Sequence, residues 1–134
     1  MSECIFCKIV QGEIPSKTLY EDKKFRVILD VRPATRGHAL ILTKQHFSNV
    51  FELPDDSTGE VFILAKRMAG VIQDKLKCDG FNLMQNNGEV AGQTQNHFHM
   101  HIIPRYSNDG QEISLATGEP TPEELEAVRQ EILC

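Results

Sequence analysis

Several features that would point to a large charged partner or to a membrane are missing from this sequence. It has no run of Lys or Arg longer than two residues, and 19 acidic residues outnumber 14 basic ones, giving a net charge of −5. Proteins that bind a nucleic-acid backbone carry a basic patch, so we expect neither polymeric nucleic acid nor an anionic membrane as a partner. No apolar run approaches the ~20 residues that a membrane-spanning helix needs.

The sequence also has few signals for export and few cysteines. Residues 1–10, MSECIFCKIV, lack a basic start followed by a clean apolar core, so we expect a cytoplasmic protein without a signal peptide. The four cysteines include one C-x-x-C pair, Cys4 and Cys7, while Cys78 and Cys134 stand alone. In a reducing compartment this spacing favours metal or redox chemistry over a disulfide framework.

No linker or internal repeat divides the 134 residues, and their 40% hydrophobic content predicts one domain with a single core. Residues 25–31 (FRVILDV) and 37–44 (GHALILTK) are rich in Val, Ile, Leu and Phe and flank a turn at Pro33. This pattern predicts two antiparallel strands. Residues 81–87 (FNLMQNN) and the histidine-rich segment after the loop GEVAGQTQ are expected to be strands of the same sheet.

Two segments have helical periodicity. From Asp56 onward, apolar residues recur every three or four positions, and Ser57 with Glu60 predicts a capping box at the start of this main helix. The apolar positions are Val61, Ala65, Met68, Ile72 and Leu76. A second helix is predicted in TPEELEAVRQEILC, where Thr121 and Glu124 form another capping box. The predicted fold class is therefore α+β, with an antiparallel sheet, a main helix and a C-terminal helix.

The five histidines are concentrated in two segments, and three of them alternate with apolar residues in NHFHMHIIPR. Side chains at alternate positions of a strand share one face and stand roughly 6.5–7 Å apart. His97, His99 and His101 are thus predicted to line one side of a strand, with Phe98 and its neighbours Met100 and Ile102 on the other. Three imidazoles in register favour a metal site or a nucleophilic or acid–base cluster.

The segment HFHMHII matches H-φ-H-φ-H-φ-φ, where φ is an apolar residue, and so resembles the signature of the histidine triad family of nucleotide hydrolases and transferases. The resemblance extends to three blocks in the same order, covering residues 4 to about 106. These blocks are CIFCKIVQGEIPSKTLYEDKKFRVILD, PATRGHALILTKQH and GFNLMQNNGEVAGQTQNHFHMHIIPR. It implies the histidine triad fold, a homodimer and one domain over residues 1–134, with residues 107–134 as a C-terminal extension ending in a helix.

The resemblance also implies hydrolysis at the α-phosphate of a purine nucleotide through a covalent nucleotidyl-histidine. By motif position His99 would be the nucleophile, and His101 and His38 would flank the phosphate. A phosphoramidate needs an attacking atom, stabilisation of charge on its oxygens and a protonated leaving group. We therefore predict that these three histidines are catalytic.

Further residues resemble the family's contacts to the rest of the nucleotide. Asn86, Gln93 and Thr94 align with donors to phosphate or leaving-group atoms, and Gly92 allows the backbone to approach closely. Asp30 resembles the acidic residue that accepts hydrogen bonds from the ribose hydroxyls. The slot for the base would be formed by Ile5, Phe6, Ile9 and Leu29, although apolar residues also become buried without a ligand.

The C-x-x-C pair suggests a second site. A closed zinc site needs four tetrahedral N or S ligands, and Cys4 and Cys7 supply two of them. His46 and His97 could complete the set, an arrangement that some microbial family members resemble. We predict structural zinc and no catalytic metal, with packed inert cysteines or a redox switch as alternatives. If His97 holds zinc, its role is to orient the strand that carries His99.

The leading functional hypothesis is hydrolysis of purine nucleoside phosphoramidates of the AMP-amine type. Alternatives are dinucleoside polyphosphate hydrolysis, which GQT before the triad and PR after it resemble, and a nucleotide-binding regulatory module with little turnover. A zinc-dependent interaction protein and hydrolysis by a zinc ion held by the triad are further alternatives. The family branch that transfers nucleotides to sugar phosphates has glutamine at the last triad position, so His101 disfavours transfer.

Overall fold

The computed structural model describes residues 3–134, which form a mixed α+β fold. The helices are α1 (Ile5–Val10), α2 (Asp55–Leu76) and α3 (Pro122–Leu133), with a short 3₁₀ turn at Glu89–Ala91. The strands are β1 (Thr18–Glu21), β2 (Phe25–Leu29), β3 (Ala39–Thr43), β4 (Gly80–Met84) and β5 (His99–Arg105). Within these residues no helix is long and apolar enough to cross a bilayer. The cytoplasmic location stays a prediction.

The described strands form one antiparallel sheet in the order β1-β2-β3-β5-β4. β5, which carries two of the triad histidines, therefore lies inside the sheet between β3 and β4. Its His101 lies opposite Leu40 and its His99 opposite Leu42. Cross-strand partners share a face of the sheet, so these two histidines project on the same side as the two leucines. The α+β prediction with an antiparallel sheet is confirmed.

The two faces of the sheet pack against different helices because side chains alternate along each strand. Ala39 and Ile41 point into a core that also contains Phe98, Met100, Ile102 and the buried face of α2. Leu40 and Leu42 pack on the opposite face with Ile28 and α1 residues Phe6, Ile9 and Val10. The predicted apolar side of the histidine segment is thus confirmed as core, and the histidines lie on the α1 face.

The structure differs from the sequence-based expectations at several element ends. β2 ends at Leu29 and β3 begins at Ala39, and the Asp30 N–H donates to the His38 carbonyl at the base of the loop between them. The predicted capping box at Ser57 and Glu60 is wrong. Helix α2 begins earlier, at Asp55, after Pro54 at the N-cap, and Ser57 lies buried inside the helix.

The second predicted capping box is confirmed. The Glu124 N–H donates to the Thr121 hydroxyl, and the Thr121 N–H donates to the Glu124 carboxylate, each over 3.1 Å. The side chains of α3 are exposed, and residues 112–121 have no regular structure. Helix α1 and strand β1 were not predicted. The division into one domain with an extension over residues 107–134 stays a prediction.

Candidate active site and metal centre

Two groups of side chains that could bind an ion or a phosphate meet on the α1 face of the sheet. One, called the strand cluster below, consists of Asp30, His38, His99 and His101. The other, the cysteine–histidine cluster, consists of Cys4, Cys7, His46 and His97. The His97 and His99 rings both pack edge-on against Phe6, with ring centroids 5.9 and 5.0 Å away. The clusters are therefore adjacent.

His99 is held with one particular ring nitrogen available. Its Nδ1 lies 2.8 Å from the backbone carbonyl oxygen of His97. A carbonyl oxygen only accepts, so the neutral ring carries its proton on Nδ1 and keeps the lone pair on Nε2. Burial lowers the pKa of His99, opposed by the bond to the His97 carbonyl and by the charge of Asp30. The side chain is thus a neutral imidazole with a nucleophilic Nε2.

His38 and His101 form a hydrogen-bonded pair with a defined direction. The Ala34 N–H donates to His38 Nδ1 over 2.9 Å, so the proton of neutral His38 is on Nε2. That Nε2 lies 2.9 Å from His101 Nδ1 and donates to it. The proton of neutral His101 is consequently on its own Nε2. The pair can pass a proton from one ring to the other and present a donor to a bound phosphate or leaving group.

The charge state of this pair is set by burial and by Asp30. Burial, together with the charges of His99 and His38, lowers the pKa of His101 to about 4, and the charge of Asp30 opposes this shift. Burial also lowers the pKa of His38, again opposed by Asp30, whose Oδ2 is 3.6 Å from His38 Nε2. Both rings are therefore neutral near pH 7.

One of the predicted phosphate-binding residues, Gln93, is hydrogen-bonded to the backbone around the loop before β5. Buried Gln93 donates from Nε2 to the carbonyls of Ser48 and Gln95, over 2.6 and 3.0 Å, and its Oε1 accepts from the Gly88 N–H over 2.8 Å. Gln93 thereby shapes the loop. Gly92 has φ +97°, and a Cβ there would lie 3.3 Å from the Asn86 side-chain nitrogen.

Roles in substrate binding stay predictions for the residues aligned with nucleotide contacts. Thr94 is exposed and Asn86 is half-buried, so both can reach a ligand. Among the four residues predicted for the base slot, Phe6 and Ile9 belong to the α1 core, Leu29 is half-buried and Ile5 is 41% exposed. Ile5 is thus the member of this set that has most surface to offer a base.

The four ligand atoms of the cysteine–histidine cluster lie within 4.8 Å of one another and could hold a metal. Three separations involve His97 Nδ1: 3.3 Å to Cys4 Sγ, 3.5 Å to Cys7 Sγ and 3.2 Å to His46 Nδ1. Cys7 Sγ is also 3.3 Å from His46 Nδ1. Zn–S and Zn–N bonds of ordinary length give tetrahedral edges of about 3.3–3.6 Å between sulfur and nitrogen or between two nitrogens. The residues therefore fit this metal.

A backbone hydrogen bond fixes which nitrogen of His97 could bind a metal. Its Nε2 lies 2.7 Å from the carbonyl oxygen of Thr43, so Nε2 carries the proton and the Nδ1 lone pair faces the other three ligands. Burial lowers the pKa of His97 to about 4, which keeps it neutral. Burial together with neighbouring Cys4 raises the pKa of Cys7 to about 11. A bound divalent cation would instead lower the pKa of Cys7, because a coordinated thiol loses its proton.

Sequence reasoning did not find Thr43 or Ala34. Each acts through its backbone, Thr43 by accepting from His97 and Ala34 by donating to His38. A backbone contact between residues that lie on different elements leaves no residue pattern in the sequence. The predicted catalytic and metal-binding histidines, by contrast, are brought together as two groups.

A family model and a curated relative both match most of this chain. The family model described as HIT domain matches residues 11–108. The adenosine 5′-monophosphoramidase of Schizosaccharomyces pombe is 38% identical over 133 residues, with 96% of this chain and 95% of that protein covered.

Two solved structures are also similar. SMU.412c from Streptococcus mutans UA159 superposes with a TM-score of 0.93 at 38% identity and covers 99% of this chain and 85% of its own. A Zn-bound histidine triad family protein from Mycobacterium smegmatis superposes with a TM-score of 0.77 at 34% identity, covering 98% and 94%.

Proposed function

Because this chain belongs to the HIT domain family, we propose that it is a nucleotide hydrolase that acts on purine nucleoside phosphoramidates through a nucleotidyl-histidine on His99. The observation that carries the proposal is the hydrogen bond from His99 Nδ1 to the His97 carbonyl, which leaves the Nε2 lone pair on a buried neutral ring. The activity of the S. pombe relative favours an AMP-amine as the substrate.

In the first step His99 Nε2 attacks the α-phosphorus, the N–P bond to histidine forms and the P–N bond to the amine breaks. As that bond breaks, the leaving amine takes the Nε2–H proton of His101, and the His38 Nε2–H that donates to His101 Nδ1 stabilises the ring that remains. The directed bond from His38 Nε2 to His101 Nδ1 keeps the donating Nε2–H of His101 in place.

In the second step water attacks the same phosphorus and gives a proton back to the His38–His101 pair. The bond from phosphorus to His99 Nε2 breaks, and the nucleoside monophosphate leaves. We assign Asp30 to the ribose hydroxyls, since its Oδ2 lies 3.6 Å from His38 Nε2 and so adjoins the phosphate end of the site. Asn86, Gln93 and Thr94 would line the phosphate through their loop, with the base against Ile5, Phe6, Ile9 and Leu29.

A trapping experiment tests the covalent step. Wild type and His99→Asn are mixed with an AMP-amine labelled in the adenosine, quenched in base after milliseconds and freed of unbound label. Wild type should retain label in proportion to enzyme, and His99→Asn should retain none because its amide is not a nucleophile. Turnover of the substrate without retained label at any quench time would contradict the covalent mechanism.

The choice of leaving group is tested separately. Dinucleoside polyphosphate hydrolysis is the alternative within the same chemistry, and it releases a phosphate chain, which needs little protonation, instead of an amine. Comparing kcat/KM for AMP-lysine and diadenosine polyphosphates should favour AMP-lysine. A preference for the polyphosphates would reassign the substrate and leave the role of His99 intact. Binding of nucleotide without turnover of either substrate would support the regulatory-module alternative.

We also propose that Cys4, Cys7, His46 and His97 bind one structural zinc ion. The tetrahedral separations and the Thr43 bond that directs His97 Nδ1 into the cluster support this, as does the Zn-bound M. smegmatis neighbour. A bound ion would fix the His97 peptide, whose carbonyl accepts from His99. Elemental analysis of wild type should give one zinc per chain and Cys4→Ser much less, whereas wild type without zinc would contradict the site.

A homodimer is the third part of the proposal. Helix α2 exposes Phe62, Ile63 and Val71, and the sheet edge at β4 exposes Leu83. These apolar side chains offer a surface that a second copy would cover. Light scattering in solution should give twice the mass of one chain, and a monomer at micromolar concentration would contradict the dimer.

A further inference from the structure

The loop between β2 and β3, residues 30–38, carries the backbone N–H that sets the proton on the His38–His101 pair. The Ala34 N–H points at His38 Nδ1 over 2.9 Å, and the Thr35 carbonyl accepts from the His38 N–H over 3.2 Å. If Ala34 moved away, His38 could carry its proton on either nitrogen. The direction of the bond to His101 would then be lost. The position of this loop therefore decides which nitrogen of the pair donates.

Three side-chain hydrogen bonds tie this loop to β5 and the segment that follows it. Buried Thr35 donates from its hydroxyl to the Pro104 carbonyl over 2.5 Å. The Tyr106 hydroxyl donates to the Arg36 carbonyl over 2.6 Å. The Gln111 amide donates to the Ala34 carbonyl over 3.0 Å. We call Thr35, Tyr106 and Gln111 the clamp. It connects the loop that holds His38 to the strand that holds His101.

The far side of the clamp is itself fixed by an ion pair. Arg105 donates to both carboxylate oxygens of Asp109, over 2.8 and 3.1 Å, and to the Gln111 carbonyl over 2.6 Å. Asp109 in turn accepts from the backbone N–H groups of Tyr106 and Gln111, each over 3.0 Å. Residues 105–111 thus form a closed turn that holds both clamp donors relative to β5.

We propose that Thr35, Tyr106 and Gln111 are positioning residues that keep the Ala34 N–H on His38 and so hold the His38–His101 pair ready to protonate the leaving group. None of the three needs to touch the substrate. The proposal deepens the proposed hydrolase function and relies on it for the kinetic part of its test. The tautomer of His38 is a property of the protein alone and tests the clamp without any substrate.

The central variant is Thr35→Val, which keeps the shape of the side chain and removes its hydroxyl. Thr35→Ser retains the hydroxyl and should rescue the effects. Tyr106→Phe removes one clamp bond at a more exposed position and carries the same test if Thr35→Val fails to fold. Two matched controls remove similar bonds elsewhere: Thr58→Val, whose hydroxyl donates to the Pro54 carbonyl, and Tyr20→Phe, whose hydroxyl donates to Asp22.

The first readout is a ¹H–¹⁵N spectrum of the histidine rings without substrate. In wild type, Thr35→Ser and both controls, His38 should give one tautomer, with Nδ1 unprotonated. In Thr35→Val and, to a smaller extent, Tyr106→Phe, the ¹⁵N chemical shifts of the two His38 ring nitrogens should become more alike, because the two tautomers interconvert. A folded Thr35→Val with the His38 tautomer of wild type overturns the proposal.

The second readout compares two leaving groups on the same nucleotide. An amine must be protonated as it leaves, whereas p-nitrophenolate leaves without a proton. Proton transfer by a side chain contributes about 10²–10⁴-fold to rate. If Thr35→Val loses part of this contribution, its kcat for the amine substrate should fall at least about tenfold. The p-nitrophenyl ester should slow less than about twofold, with KM for both substrates unchanged.

An equal loss on both substrates would overturn the proposal, because it would show a general disturbance of the site. A wild type that hydrolyses neither substrate would contradict the proposed function instead, and the ring spectra would still decide whether the clamp sets the His38 tautomer. The failure of the clamp and the failure of the hydrolase are therefore distinguishable.

Discussion

The strand cluster and the cysteine–histidine cluster both contain histidine rings, and backbone hydrogen bonds fix these rings in different tautomers. His97 donates from Nε2 to the Thr43 carbonyl, so its other nitrogen offers a lone pair to a metal. His38 accepts an N–H from Ala34, so its other nitrogen carries a proton. Although Asp30, His38 and His101 also lie within ligand distance of one another, a protonated Nε2 is no metal ligand. The tautomer separates the two roles.

One peptide links the two clusters. The His97 side chain belongs to the cysteine–histidine cluster, and its carbonyl accepts from His99 in the strand cluster. A change that displaces His97 should therefore affect both clusters, while a change at His99 or His38 should affect one. The predictions that follow use this asymmetry.

The largest effects are expected from substitutions of His99 and His97. His99→Asn removes the nucleophile and should lower kcat by about 10³-fold or more while zinc content stays at the wild-type level. His97→Asn should lower both zinc content and kcat, because it removes a ligand and disturbs the carbonyl that orients His99. Parallel measurement of zinc and kcat checks both variants. Unchanged zinc content in His97→Asn would contradict the separation of the clusters.

Loss of a thiolate should act on stability more than on chemistry. Cys7→Ser should lose the bound zinc and with it the stabilisation that binding gives the folded chain. This stabilisation is about 4 kcal/mol when free zinc exceeds its Kd a thousandfold. Thermal unfolding in zinc-buffered solution measures the change, with exposed Cys134→Ser as the matched control. Equal Tm values for Cys7→Ser and wild type would count against a structural metal.

An intermediate effect is expected from pH on the strand cluster. The unfolded chain takes up a proton on His101 near pH 6.5, whereas the folded chain resists it until about pH 4. The unfolded state therefore binds more protons between these values, and the free energy of unfolding should fall as the pH decreases through this window. The slope is about 1.4 kcal/mol per pH unit for one such group.

Denaturant unfolding of wild type and His101→Asn at several pH values between 4 and 6.5 isolates this contribution. Zinc loss at low pH affects both proteins and cancels in their difference. The variant should show a shallower dependence on pH. Parallel curves for the two proteins would show that His101 does not titrate as its burial requires.

The smallest effect is expected in the polar loop beside the strand cluster. Gly92→Ala places a Cβ 3.3 Å from Asn86 at φ +97° and should cost about 1 kcal/mol of unfolding free energy. Gly70→Ala, inside α2 where a Cβ meets open space, should instead stabilise by about 0.5–1 kcal/mol. Urea titration of both variants measures whether their unfolding free energies change in opposite directions. A Gly70→Ala variant that is less stable than wild type would contradict this prediction.

The sequence predicted most where a residue pattern repeats along one element. The spacing of apolar residues located α2, the Thr121 capping box located the start of α3, and alternation in the histidine segment placed Phe98 in the core. The prediction failed for the start of α2, because Asp55 and Asp56 suit the first turn of a helix better than Ser57 did as its cap. Short α1 and exposed β1 have too few residues for a clear period.

The sequence predicted which residues form the candidate site but not how the structure divides them into two clusters. The motif grouped His97 with His99 and His101 on one strand, yet β5 begins at His99 and the His97 side chain joins Cys4 and Cys7. The contacts that separate them connect residues far apart in the chain, such as His97 with the Thr43 carbonyl. Backbone groups are present at every position, so no sequence pattern marks the few that set a tautomer.

The ¹⁵N spectrum of the histidine rings during a zinc titration tests the division between the two clusters most directly. We predict that one equivalent of zinc shifts Nδ1 of His97 and His46, while His99 keeps its proton on Nδ1 and His38 and His101 keep theirs on Nε2. Zinc that first shifts His38 or His101, or a His99 ring with its proton on Nε2, would contradict the account.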